Sequence, residues 1–284
     1  MAQMVPIQIR ARYFSARNFA GGLAVIIATL LAGQVITWLG FPFGYQLVYV
    51  MCAVVGLTAS YIYARVPGKA YGNLEQKAVD RPGNTAIHTT LSLLKHKPFV
   101  RFMICSCALT FAVSIGGPFI GLYQIRVLRF SAATIGLIAS VELGVNIMMQ
   151  LVYGAYFIPR FGDYRVMRAL RYATALVPLA WLFVTDPWAG AAVSVLAGAF
   201  WSGHDLANFN GLLEITPEQN RAAYIALHTV TTSLSAALGP AIGGILSEVV
   251  GYHPLFIASG VLRFIAAVLL TILVRDWVIN RGTK

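Results

Sequence analysis

Glu142, Asn146 and Gln150 recur at intervals of four residues, with Tyr153 three further on, in a stretch that is otherwise apolar. On a helix this spacing places one continuous polar stripe along one face. A carboxyl group within a membrane-length apolar run is expensive and is a functional hypothesis by default. The stripe suits a water-filled cavity that binds a polar solute or passes a proton; the alternative is an interhelical hydrogen-bond seam. A second concentration of polar side chains lies in "WSGHDLANFN", residues 201–210, with Trp201, His204, Asp205, Asn208 and Asn210. His204 and Asn208 are four apart, and Trp201 and Asp205 are four apart on a neighbouring stripe. Arg263 stands near the centre of another apolar run, where a cation must find a partner, water or carbonyls. His228, Thr229, Thr232 and Ser235 form a further polar group, and Ser114, Tyr123 and Gln124 flank "GGP", residues 116–118. No metal-ligand spacing, nucleotide loop, nucleophile motif or haem motif is present, so no cofactor and no enzymatic reaction are expected.

The elements that must position these groups are membrane spans. The chain has 284 residues, 58% apolar and only 11% charged, with a mean hydropathy of +0.72, a balance that a water-soluble globule can hardly keep off its surface. Runs of roughly 20 apolar residues, enough to cross about 30 Å of hydrocarbon, fall near 18–39, 45–64, 102–124, 133–157, 166–184, 188–210, 222–250 and 254–275. Eight spans and an all-α, polytopic helix bundle are expected. Thr185, Asp186 and Pro187 provide the shortest connection.

The formal charge of +11 orients this bundle. With the N-terminus in the cytoplasm, Arg10, Arg12 and Arg17 lie inside, as do Arg65, Lys69, Lys77, Arg81, Lys95, Lys97 and Arg101 in the next inner segment. Arg160, Arg165, Arg168 and Arg171 follow, then Arg221, Arg275, Arg281 and Lys284; only Arg126 and Arg129 fall outside. This positive-inside pattern places both termini in the cytoplasm and explains the basic excess without nucleic acid as a partner. The expected partners are the lipid bilayer and a small-molecule substrate, and the expected location is the plasma (inner) membrane. Trp38 and Trp188 near outer span ends and Trp277 near an inner one fit an interfacial aromatic belt. Cys52, Cys105 and Cys107 lie inside spans with no zinc or redox spacing and read as small buried thiols.

The chain also repeats itself. "VPIQIRARY" (5–13) is echoed by "TPEQNRAAY" (216–224) without a gap, so that Pro6 meets Pro217, Gln8 meets Gln219, Arg10 meets Arg221 and Tyr13 meets Tyr224. The register continues into the membrane, where Leu23 meets Leu234, Gly33 meets Gly244 and Gly40 meets Gly251. Chance resemblance supplies Leu matches easily but co-registered Pro, Arg, Tyr and Gly less so. Such periodicity signals duplicated units, and here the first span matches the seventh. The hydrophilic segment 65–97, rich in Gly, Pro and charge, reads as a linker. Residues 1–64 then form a partial N-terminal half of two helices and residues 98–284 a C-terminal half of six.

This pattern resembles the major facilitator superfamily of secondary transporters, with residues 1–64 similar to helices five and six and residues 98–276 to helices seven to twelve. The first four helices of that plan have no counterpart, so the chain looks truncated. "YGAYFIPRFGDYRVMR" (153–168) resembles the family's cytoplasmic loop signature of Gly, three residues, Asp, Arg, one residue, Gly. Arg160 and Gly162 occupy its Arg and second Gly positions, while Ala155 stands at the first Gly and Pro159 where the acid belongs. The alternative is an ordinary positive-inside turn. "GPAIGG" (239–244) is expected to form a kinked helix whose Gly239, Gly243 and Gly244 allow close packing; the equivalent positions near residue 28 lack a Gly-Pro pair, which departs from the drug antiporters of the family.

The resemblance implies transport of a small solute by alternating access, with Glu142 or Asp205 as candidates for proton coupling. It implies that the helix bearing Trp201, His204, Asp205 and Asn208 lines a central cavity, where the cluster could bind substrate or gate the mouth; a His204–Asp205 pair that merely orders the helix end is the other reading. It makes the last helix peripheral, so that a structural pair or snorkelling for Arg263 stands beside an anion-ligand role. Two other functions remain open at this point: a non-transporting remnant of such a transporter, and an eight-helix membrane enzyme or assembly factor.

Overall fold

A computed structural model describes residues 7–65 and 93–274. Most of the expected linker, together with Pro6, Trp277 and the basic residues Lys69, Lys77, Arg81, Arg275, Arg281 and Lys284, lies outside the described residues. The described residues are helical and follow the order α1 (Ile7–Leu39), α2 (Phe43–Ala64), α3 (Lys97–Arg126), α4 (Ala132–Val152), α5 (Asp163–Ala180), α6 (Pro187–Ile215), α7 (Arg221–Val249) and α8 (Tyr252–Leu273). A π turn, Tyr153–Phe157, and a short helical turn, Ile158–Phe161, extend α4. A 3₁₀ turn, Trp181–Phe183, ends α5.

Seven of these helical stretches are long and apolar enough to cross a membrane, one fewer than the eight runs expected. The difference is α6. It spans 29 residues, ample for a crossing, but the polar side chains of 201–210 dilute its hydropathy. The break before it falls where the sequence suggests: Asp186 takes an extended conformation and its Oδ1 accepts hydrogen bonds from the backbone N–H groups of Trp188 at 2.9 Å and Ala189 at 3.0 Å. Pro187 then occupies the first turn, where its missing donor costs nothing.

By contacts the chain divides into two units, residues 1–89 with 131–140, and residues 90–130 with 141–284. In the first unit α1 and α2 are joined by a turn in which Gly40 has φ +66°. The same α1 meets the start of α4 through small residues. A Cβ on Gly33 would stand 3.0 Å from the Ala132 carbonyl oxygen, and one on Gly136 would stand 3.1 Å from that of Thr29. Thr37 Oγ1 accepts from the Ala133 N–H at 3.1 Å. Such backbone approach is how helices associate where lipid tails remove the usual hydrophobic drive. Large apolar side chains such as Leu31, Trp38, Val55 and Leu57 face outward, as a lipid-facing surface requires.

In the second unit α3 is the central element. Ser259 of α8 donates to the Ala112 carbonyl at 2.7 Å, beside Gly116. Gly239 and Gly243 of α7 bring its backbone against Ser114 and Ile115 of α3, whereas Gly244 meets only the Phe119 ring, at 3.8 Å. The close approach therefore uses two of the three glycines, because positions four apart share a helix face and Gly244 is turned aside. α7 runs unbroken through Pro240. A core of Phe99, Phe102, Cys105, Met167, Ala207 and Leu270 packs α3, α5, α6 and α8 together.

The repeat has a structural counterpart. Gly251, 211 positions after Gly40 (251 less 40), has φ +84°, and the helices that follow the two glycines, α2 and α8, are both 22 residues long. A left-handed turn that only glycine adopts without strain thus recurs in register.

Candidate functional site

Glu142 sits mid-way along α4, half-buried, and α6 is built to receive it. Ser194 of α6, 1% exposed, sets its hydroxyl beside the Glu142 carboxyl group. One turn further along α6, Gly198 approaches so closely that a Cβ there would clash with the Glu142 carbonyl oxygen and stand 3.2 Å from the Asn146 nitrogen. Asn146 Nδ2 points at the Gly198 carbonyl at 3.4 Å, the long end of a hydrogen bond. Two members of the stripe therefore meet the same small-residue face of α6, while Gln150 is exposed. Among the described residues no cation forms an ion pair with Glu142.

The second cluster follows α6 toward its C-terminal half. The His204 ring lies edge-on to Trp201, with centroids 5.4 Å apart, and its Nδ1 sits 3.1 Å from Asp205 Oδ1. His204 is 4% exposed, while the Asp205 side chain is 64% exposed, so the pair spans an interior and a surface. Arg263 also lies over the Trp201 ring, its guanidinium carbon 5.9 Å from the ring centre, within range of a cation–π contact. Arg263 is 2% exposed and donates from Nη1 to the Thr174 carbonyl at 3.1 Å. The intramembrane cation thus finds a carbonyl and an aromatic face.

Asn208 has another partner. Its Oδ1 accepts from Arg171 Nη2 at 3.0 Å, and Arg171 Nη1 donates to the Cys105 carbonyl at 3.1 Å. Arg171, expected at the inner surface with Arg168, is fully buried. It stands eight positions into α5, about 12 Å along the helix, and there it ties α3, α5 and α6 into one node. Its Nε and the Nε of Arg263 are buried donors without an acceptor, and the Nε2 atoms of His204 and His228 are buried without a hydrogen-bond partner, among the described residues.

The loop after α4 keeps the turn, and a different acid joins the helix ends. Gly162 has φ +79° and ψ 153°, which ends the short turn and starts α5. Arg160 donates to the Tyr156 hydroxyl at 2.9 Å and lies over the Tyr156 and Phe161 rings, and among the described residues it forms no ion pair with an acid. Asp163 ties neighbouring helix ends: its Oδ1 accepts from Asn210 Nδ2 of α6 at 2.8 Å.

Sequence reasoning had no hold on Ser194, Gly198, Thr174 or the depth of Arg171. Only Arg171 carried a signal: it continues the three-residue spacing of Arg165 and Arg168 one turn beyond the basic cluster.

The geometry agrees with the comparison to known families. The family model described as Major Facilitator Superfamily matches residues 1–204 and again residues 128–281. Residues 128–204 are thus covered by both matches, as a chain with repeated units allows. The chain has no significant match among curated proteins. Seven helices among the described residues that are long and apolar enough to cross a membrane, a repeated glycine turn and a family match over nearly the whole sequence agree, and the chain belongs to the major facilitator superfamily, a family of membrane transporters.

Proposed function

We propose that this chain takes part in moving a small polar solute across the plasma membrane by alternating access of two halves, coupled to a proton carried by Glu142. The division into halves is read at the linker, residues 65–97, with both termini in the cytoplasm. The single observation behind the proposal is the setting of the Glu142 carboxyl group: mid-helix, half-buried, beside the Ser194 hydroxyl and, among the described residues, without a cation. A carboxylate needs water or a cation, whereas a carboxylic acid is content with a hydroxyl. A group whose two forms differ so much in what they require can bias one conformation over another.

Asn146 and Gln150 extend the polar face on which a solute would lie. Trp201, His204, Asp205 and Asn208 form the second part of the pathway, with exposed Asp205 at the water side and buried His204 behind it. Arg263 positions Trp201. Arg160 and Gly162 shape the cytoplasmic turn. The test is uptake into proteoliposomes under an imposed pH gradient, using a labelled sugar, amino acid, carboxylate and lipophilic cation. Accumulation of one class that collapses when an ionophore dissipates the gradient supports the reading. Uptake indifferent to the gradient contradicts it.

A further inference from the structure

At the arginine-rich end of α4 and α5 a cavity of about 350 Å³ is lined by Tyr153, Phe157, Phe161, Arg165, Val166, Ala169 and Leu170. Its volume falls in the range of small-molecule sites, about 300–1,000 Å³. Six of the seven lining residues are apolar or aromatic, and the seventh is an arginine. The π turn Tyr153–Phe157 begins and ends on two of the lining residues. A π turn inserts an extra residue into the helical ladder and is found mostly where a helix serves a site; here it widens α4 where the cavity forms.

Three arginines surround this end, and two are engaged. Arg160 donates to the Tyr156 hydroxyl, and Arg168 lies 5.6 Å over the Tyr164 ring. Arg165 is exposed and has no hydrogen bond, ion pair or ring contact among the described residues. A guanidinium presents a planar fork of donors that matches phosphate oxygens, and basic sites between spans are where anionic lipid headgroups dock.

We propose that this cavity binds an anionic phospholipid, with an acyl chain against Tyr153, Phe157 and Leu170 and the phosphate on Arg165. The charge and the lining select the occupant together. A soluble phosphate would gain nothing from six apolar walls. A zwitterionic lipid would bring a second cation toward Arg160, Arg165 and Arg168. The test reads lipid retention and therefore does not depend on transport.

The experiment is native mass spectrometry of the delipidated full-length protein in detergent, titrated with phosphatidylglycerol, phosphatidylcholine or glycerol 1-phosphate. Wild type is expected to retain phosphatidylglycerol over phosphatidylcholine by about tenfold, the scale of one charge-assisted contact. Arg165→Gln should level that preference and Arg165→Lys should keep most of it. Ala169→Trp, which fills the cavity, should lower retention of both lipids. Elution volume and helical content are measured for each variant, and one that departs from wild type in either is replaced by Leu170→Trp or Arg165→Met. Equal retention of the two lipids by wild type, an undiminished preference in Arg165→Gln, or displacement of the lipid by equimolar glycerol 1-phosphate would each overturn the proposal.

Discussion

Arg171 and Asn208 are joined by a 3.0 Å hydrogen bond inside the second unit, with Arg171 fully buried. A cation at the centre of a bilayer costs about 2.5–3.5 kcal/mol on insertion scales, while a hydrogen bond to a charged group returns about 1.5–3 kcal/mol. Arg171 holds two acceptors, so the node is close to balanced and depends on both partners. Asn208→Leu leaves the charge with one acceptor and is expected to destabilise more than Arg171→Met, which removes the charge. The double variant should be more stable than Asn208→Leu alone. Thermal unfolding in detergent measures all three; strictly additive losses would show that the two side chains are not coupled.

Gly198 sets the distance between α4 and α6. Gly198→Ala places a Cβ against the Glu142 carbonyl, and forcing packed groups apart costs about 1–3 kcal/mol. Gly144→Ala, on the same helix α4 with nothing within 4 Å of the added Cβ, should instead gain up to about 1 kcal/mol from helix propensity. The two variants are therefore expected to shift the unfolding midpoint in opposite directions. A shared direction would mean that α4 and α6 do not approach at Gly198.

Gly40 and Gly251 occupy the same place in the two copies of the repeat, with φ +66° and +84°. An alanine at such a conformation carries about 1–3 kcal/mol of strain. Gly40→Ala and Gly251→Ala should both lower stability, whereas Gly21→Ala, in open space on α1, should not. If only one of the pair responds, the turns are not equivalent.

The limits of the sequence are visible in single residues. The break at Thr185–Pro187, the Gly162 turn and the register of Gly40 with Gly251 were all legible, because breaks, turns and repeats are properties of short segments; that Asp186 caps α6 emerges only from the structure. The adjacency of His204 and Asp205 was legible for the same reason. Glu142, Asn146 and Gln150 could be placed on one face, but that face does not say which helix it meets. Ser194 and Gly198 emerge only when α6 is laid against α4, and they take up Glu142 and Asn146 while leaving Gln150 outside. Arg171 was misplaced because a basic cluster signals a membrane boundary and carries no depth for its last member. The polarity of α6 lowers its hydropathy below that of the other seven helices for a physical reason: its polar groups engage Arg171, Asp163 and the Trp201–His204 contact.

Glu142→Gln in proteoliposomes tests the central claim most directly, by comparing exchange with accumulation of whichever solute class the wild type moves. Glutamine keeps the size and the polar contact with Ser194 but cannot carry a proton. The account predicts that solute exchange across the membrane at equal pH survives, while accumulation driven by a pH gradient and the accompanying proton uptake are lost. Full gradient-driven accumulation by Glu142→Gln, with proton uptake equal to wild type, would contradict it.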